Sequence, residues 1–181
     1  AIIPLAVLGT YAIGRFSGSE PTRRAGLILS ESAAFTVLTT EIGQYVFAEQ
    51  RPQEGGKLAF FSSGGHGVSG HTSIVAAMAV PMDRLFFQVR PDDGHWRRAG
   101  KYLGKAALYS LPVMTGWSRL NDNKHYAWNV VLGLGTGYMI GDFVASAHGM
   151  EGRSGADRHW GVAPGHGDRG GQGLMLRWSL R

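Results

Sequence analysis

SRLNDNKHYAWN, residues 118–129, holds an arginine, a histidine six residues later and an amide four residues after that. Arg119, His125 and Asn129 either form a reaction centre or are polar residues at a helix start. Asn121, Asp122 and Asn123 are all good N-cap residues, and they predict a helix that carries both His125 and Asn129. On such a helix Asn129 lies one turn beyond His125, within side-chain reach. Taken alone, Arg119 and His125 read as an ordinary surface pair.

Two segments upstream change the balance. Residues 25–50 place apolar side chains at helical spacing, with Glu31, Glu41 and Gln44 interleaved, and Arg51-Pro52 is expected to end that helix. A glycine- and serine-rich connection follows, and GVSGHTS, residues 67–73, predicts a helix start near His71. That helix should run to Pro81, which is expected to kink or end it. A further helix is predicted from about Gly94 to Trp117, followed by the polar turn. No convincing period-2 strand and no internal repeat occur in residues 1–150, which read as one helical unit.

After Gly149 the composition changes. Residues 151–181 contain 8 glycines and 5 arginines with little helical periodicity, and read as an extended arm. Only GLMLRWSLR, 173–181, alternates as a strand would, and packing against the body or a neighbouring chain is expected for it.

A chain of 181 residues, 44% hydrophobic and 17% charged, is long and apolar enough for one folded domain. Without cysteine it has no disulfide, thiol nucleophile or thiolate metal site. A formal charge of +5 favours anionic partners such as phosphate esters or acidic lipid surfaces. The basic residues form no run, which argues against nucleic acid. His148, His159 and His166 are spaced too irregularly for a metal site, so no metal is expected. The opening AIIPLAVLGTYAIGRF is interrupted by Pro4 and glycines and does not read as a complete signal peptide. Its lack of an initiator Met suggests a mature or trimmed chain. Residues 127–147 are apolar enough to suggest a membrane span, but Asp142 and the glycines fit a buried core helix at least as well. GLGTG at 133–137 follows a helix start, and close helix packing explains it better than a dinucleotide loop. Trp117 and Trp128 flank the polar stretch and are expected as core aromatics rather than pocket walls.

Together the three segments can do what none does alone. Helix N-terminal N–H groups, the Ser69 hydroxyl and two guanidinium groups make an oxyanion cradle. Arg51 and Arg119 can grip phosphoryl oxygens bidentately and offset developing negative charge. Two histidines on opposite sides of a phosphoryl group supply an attacking nitrogen and a proton donor.

This set resembles the type 2 phosphatidic acid phosphatase (PAP2) superfamily, which includes bacterial class A acid phosphatases and vanadium-dependent haloperoxidases. The family signature is Lys-x6-Arg-Pro, then Pro-Ser-Gly-His, then Ser-Arg-x5-His-x3-Asp. Here the parts read Gln44-x6-Arg51-Pro52, Val68-Ser69-Gly70-His71 and Ser118-Arg119-x5-His125-x3-Asn129. The resemblance implies an all-α helical bundle of the acid phosphatase/haloperoxidase type, here with a glycine-rich C-terminal arm. It implies hydrolysis of a phosphate monoester, on a lipid or a small molecule, through a phosphohistidine on His125. His71 would protonate the leaving oxygen, and Arg51, Ser69, Gly70 and Arg119 would hold the phosphate. No cofactor is implied, though phosphate or vanadate would fit the site.

Three positions depart from the signature. Val68 replaces a proline, which affects turn stiffness. Gln44 replaces the lysine, lies on the same helix face as Arg51, and offers only neutral hydrogen bonds. Asn129 replaces the aspartate that would accept the Nδ1 proton of His125; its carbonyl oxygen can still accept but brings no charge. Gln44 and Asn129 favour, as an alternative, a degenerate relative that binds a phosphorylated ligand without turnover; a second alternative is a vanadate-dependent haloperoxidase, against which the lost lysine and the short chain argue. Low mean hydropathy, −0.08, leans towards a soluble or peripheral protein of the bacterial periplasm or cell envelope. Nothing in the sequence sets an oligomeric state.

Overall fold

The computed structural model describes residues 18–150 in full and the backbone of two further strands, 158–166 and 172–180. The opening stretch AIIPLAVLGTYAIGRF, which does not read as a complete signal peptide, lies outside the described residues. So does the boundary placed at residue 151.

The body is an all-α bundle of four helices: α1 (Glu20–Val46), α2 (Gly70–Phe86), α3 (His95–Asn121) and α4 (Ala127–Ala147). Between α1 and α2 runs a short antiparallel hairpin, β1 (Phe47–Glu49) and β2 (Leu58–Phe60), which the absence of period-2 patterning did not predict. Three residues are too few to show a period. The hairpin also corrects the helix end: α1 stops at Val46, short of Arg51-Pro52. From Phe47 the chain is bonded on both edges. The ladder to β2 pairs Ala48 with Ala59, with the Phe47 and Phe60 rings edge-on at 6.1 Å. On the other edge the Glu49 and Phe47 carbonyls accept from the N–H groups of His66 (2.8 Å) and Gly67 (3.0 Å).

Helix α2 is central, touching α1, α3 and α4. It continues through Pro81 to Phe86 instead of breaking there. A proline leaves the carbonyl four residues earlier without its helical donor. Here that carbonyl, on Ala77, accepts from Ser32 Oγ of α1 at 2.9 Å, so the helix interior stays satisfied. The interior is built of small side chains: Ala76, Ala77 and Ala79 of α2, with buried Ser32, Thr36, Thr72 and Ser73. Gly133, Gly137 and Gly141 bring α4 against them. A Cβ at Gly137 would lie 2.2 Å from the Ser73 carbonyl oxygen, and one at Gly141 2.3 Å from that of Ala77. Close packing is therefore what Gly133 and Gly137 of GLGTG and the following Gly141 serve, whereas a Cβ at Gly135 would meet nothing.

Many large apolar side chains lie outside, although Ile28, Leu29, Met78 and Leu108 are buried. Phe35, Leu38 and Ile42 of α1, Leu103, Val113 and Met114 of α3, and Val131, Met139 and Phe143 of α4 are all exposed. Residues 127–147 thus form a helix buried on its glycine face only, not a core helix. Trp117 is likewise no core residue, being 72% exposed; Trp128 is less so, its ring edge-on to Phe47 at 6.0 Å. Small residues inside and large apolar ones outside is how helices pack in lipid. Helices α1 and α4 are long and apolar enough to cross a membrane.

In the C-terminal region the structure has two strands where one was predicted. β3 (Arg158–His166) and β4 (Gln172–Leu180) pair antiparallel, with Trp160 opposite Trp178 in the register. β3 lies against α4.

Candidate active site

The site begins at the N-terminus of α2. Ser69 is its N-cap residue by backbone geometry, yet its hydroxyl does not cap the helix. It is fully buried and pairs with Thr72 Oγ1 at 2.9 Å. Its N–H donates to the Asn129 carbonyl at 3.1 Å, tying the start of α2 to the first turn of α4. Gln44 Nε2 donates to the Val68 carbonyl at 2.9 Å and so braces the turn from α1. The side chains of Ser69 and Gln44 are therefore committed to the fold, while the first-turn N–H groups from Gly70 onward have no partner within the helix.

Arg51 precedes the single 3₁₀ turn Pro52–Glu54. The turn is closed reciprocally: Glu54 N–H donates to the Arg51 carbonyl (2.9 Å), and Arg51 N–H to Glu54 Oε2 (3.2 Å). The Arg51 Nε is buried without an acceptor. Arg119 stands in the last turn of α3, which runs on through the predicted polar turn to Asn121. Its Nη2 donates to Asp122 Oδ2 (3.1 Å) and Ser118 Oγ (3.2 Å), and its Nε too is buried without an acceptor.

The chain then reverses through Asn123, at φ 51°, a left-handed conformation asparagine tolerates. Helix α4 starts only at Ala127, so His125 lies in the loop before it and only Asn129 is helical. The three polar residues thus close α3 and the turn, and do not cap α4. This loop packs on the Arg51 loop: Lys124 Nζ reaches Gln53 Oε1 (3.4 Å), and Gly56, at φ 67°, leaves room that a Cβ would take from the Tyr126 hydroxyl.

His125 is 8% exposed, and its Nδ1 lies 3.1 Å from the His66 carbonyl oxygen. A carbonyl can only accept, so Nδ1 carries the proton and the lone pair of the neutral ring is on Nε2. Among the described residues Nε2 makes no hydrogen bond. Burial pushes the His125 pKa down to about 4, with the positive fields of His66, Arg51 and His71 adding to it against the His66 hydrogen bond. The imidazole is neutral at pH 7. Asn129, 1% exposed, keeps its Oδ1 buried and unpartnered, so it does not accept the Nδ1 proton as expected from its place in the motif.

The other histidines share this field. Burial lowers the His71 pKa, and Arg119 and Arg51 lower it further. His66 is lowered by burial and by Arg51, against Glu54. Its ring stands edge-on to His125 with centroids 6.5 Å apart. The structure therefore gathers Arg51, Arg119, His71, His125 and the α2 N-terminus in one place. Sequence reasoning missed His66, whose only signal was its place between glycines in an otherwise side-chain-poor loop. His148 lies elsewhere, with Nε2 2.6 Å from Glu31 Oε2. The side chains of His159 and His166 lie outside the described residues.

No curated protein and no solved structure matches the chain. The family model described as the PAP2 superfamily matches residues 25–153, a stretch containing every group of this site, and the chain belongs to that superfamily.

Proposed function

We propose that the protein hydrolyses a phosphate monoester carried on a membrane lipid, with His125 as nucleophile. The observation that carries this reading is a neutral imidazole with Nε2 unbonded, in the field of Arg51 and sharing its site with Arg119, each guanidinium keeping a buried donor without an acceptor. Nε2 attacks phosphorus while the bond to the ester oxygen breaks, and the protonated His71 gives its proton to that oxygen. Water, giving a proton back to His71, then cleaves the phosphorus–nitrogen bond, releasing inorganic phosphate and returning neutral His125 and protonated His71. Arg51, Arg119 and the N–H groups of Gly70 and its neighbours hold the phosphoryl oxygens as charge builds on them. All of these steps use nitrogen and oxygen groups of the chain and need no metal.

The apolar outer faces of α1, α3 and α4 move the localisation from a soluble or peripheral protein towards one seated in a bilayer of the cell envelope. At about 1.5 Å per residue a 21-residue helix such as α4 spans roughly the hydrocarbon core. The site lies at one end of the bundle, where an anionic headgroup would meet it. The test is phosphate release from an aryl phosphate and from a lipid phosphate in mixed micelles. Release from the lipid that is lost in His125→Ala supports the reading, and no release across the pH range refutes it.

A second reading, a binder without turnover, draws on the engaged side chains of Ser69 and Gln44. Phosphate binding by isothermal titration without hydrolysis of either ester would favour it.

A further inference from the structure

We infer that the main-chain carbonyl of His66, and not the side chain of Asn129, orients His125, making His66 the positioning residue of this site. The inference rests on the reading of His125 as the nucleophile. It begins from two oxygens. The His66 carbonyl lies 3.1 Å from His125 Nδ1, whereas Asn129 Oδ1 is buried with no donor.

The loop around His66 is held from both flanks. A Cβ at Gly65 would lie 2.2 Å from Ala48 Cα, and one at Gly67 2.1 Å from the Phe47 carbonyl oxygen. Only glycine lets the loop approach β1 this closely. There the N–H groups of His66 and Gly67 bond Glu49 and Phe47, at 2.8 and 3.0 Å, which fixes the direction of the carbonyl between them. The glycines before and after His66 thus aim a neutral acceptor at Nδ1. A carbonyl sets the tautomer as a carboxylate would, leaving Nε2 free to attack, and it places no anion behind the ring. Asn129 is then released from tautomer control. Its backbone has another task, accepting from Ser69 N–H to join α2 and α4.

The experiment uses full-length protein with ¹⁵N-labelled histidine, in detergent micelles, and reads the His125 tautomer from long-range ¹H–¹⁵N spectra at neutral pH. The wild type should show Nδ1–H with an unprotonated Nε2, and Asn129→Ala should leave that pattern unchanged. Gly67→Ala, which displaces the loop, should mix the tautomers or invert them. An Nε2–H tautomer in the wild type overturns the inference without any variant having to fold. A tautomer switch in Asn129→Ala also overturns it. Turnover gives a second readout: Asn129→Asp should bring no gain, because the Nδ1 proton is already accepted elsewhere. A rise of about tenfold, worth some 1.4 kcal/mol of transition-state stabilisation, would show that Asn129 faces the ring after all. The tautomer is read without substrate, so an inactive protein with the expected spectrum refutes the phosphatase reading alone.

Discussion

The two ends of α2 are both rich in cations, and they differ in what those cations meet. At the C-terminal end Arg84 is paired with Asp142 and also donates to Ser146 Oγ (3.0 Å) and the Met150 carbonyl (2.8 Å). Lys105 holds Asp83 at 2.8 Å, and Lys101 holds Asp93 at 2.6 Å. A cavity of about 620 Å³ opens there, lined by Asp83, Lys105, Tyr109, Tyr138 and Asp142, yet its charges already answer one another. At the N-terminal end Arg51 and Arg119 keep buried Nε donors without acceptors, although Arg119 also meets Asp122 at 3.1 Å, and burial with the guanidinium fields lowers the pKa of His71 and His125. Paired cations lock helices together. Guanidinium groups that keep a buried donor unmet leave the site ready for an anion brought from outside.

The comparison is broken most severely at the N-terminal end. His125→Ala should lower turnover by about 10⁴ to 10⁶, the scale on which loss of a nucleophile acts, with melting temperature little changed. Equal turnover in the variant, measured by phosphate release, would remove His125 from the reaction. Arg51→Ala should cost about 10² to 10³ in kcat/KM, as loss of one preorganised oxyanion donor does. A loss confined to stability would place Arg51 with the structural cations instead.

Smaller, but signed, is the pH dependence. His125 must be neutral to attack, so activity should rise as pH climbs through about 4. His71 must be protonated to donate, and its pKa lies below the usual 6.5, so activity should fall as pH passes that lowered value. The expected kcat/KM profile is a bell on the acid side of neutrality, and a maximum in the alkaline range contradicts it. The least effect on activity belongs to the opposite end. Arg84→Ala should leave kcat/KM unchanged and lower stability by about 1–3 kcal/mol, read by denaturant unfolding. Asp142 is 61% exposed, which keeps that cost below the figure for a fully buried pair.

The sequence carried the helical class, because α1 to α4 place their apolar residues at helical spacing and their polar breaks are distinct. It also carried the membership of Arg51, His71, Arg119 and His125 in one site, because the spacing of three short motifs survives folding. Local geometry was less legible. The helix prediction passed through Phe47 because nothing local says that β2 and the His66 loop will bond its two edges. The Asn121–Asp122–Asn123 run was read as a cap for α4, but it closes α3, since a capping residue does not say which side its helix is on. Pro81 looked like a break because its missing hydrogen bond is visible in sequence, whereas the repair by Ser32, 45 residues away in the chain, is not. Trp117 looked like a core residue on the assumption that large apolar side chains go inside, an assumption that fails on the outer face of α3.

The most direct measurement is a rapid-quench experiment with a ³²P-labelled phosphoester, followed by alkaline digestion and mapping of the acid-labile label. The expected result is one phosphorylated peptide containing residues 124–129, with phosphorus on Nε2 of His125 and no label in His125→Ala. Phosphate release at full rate with the label on another residue, or with no labelled protein at any quench time, would contradict the account.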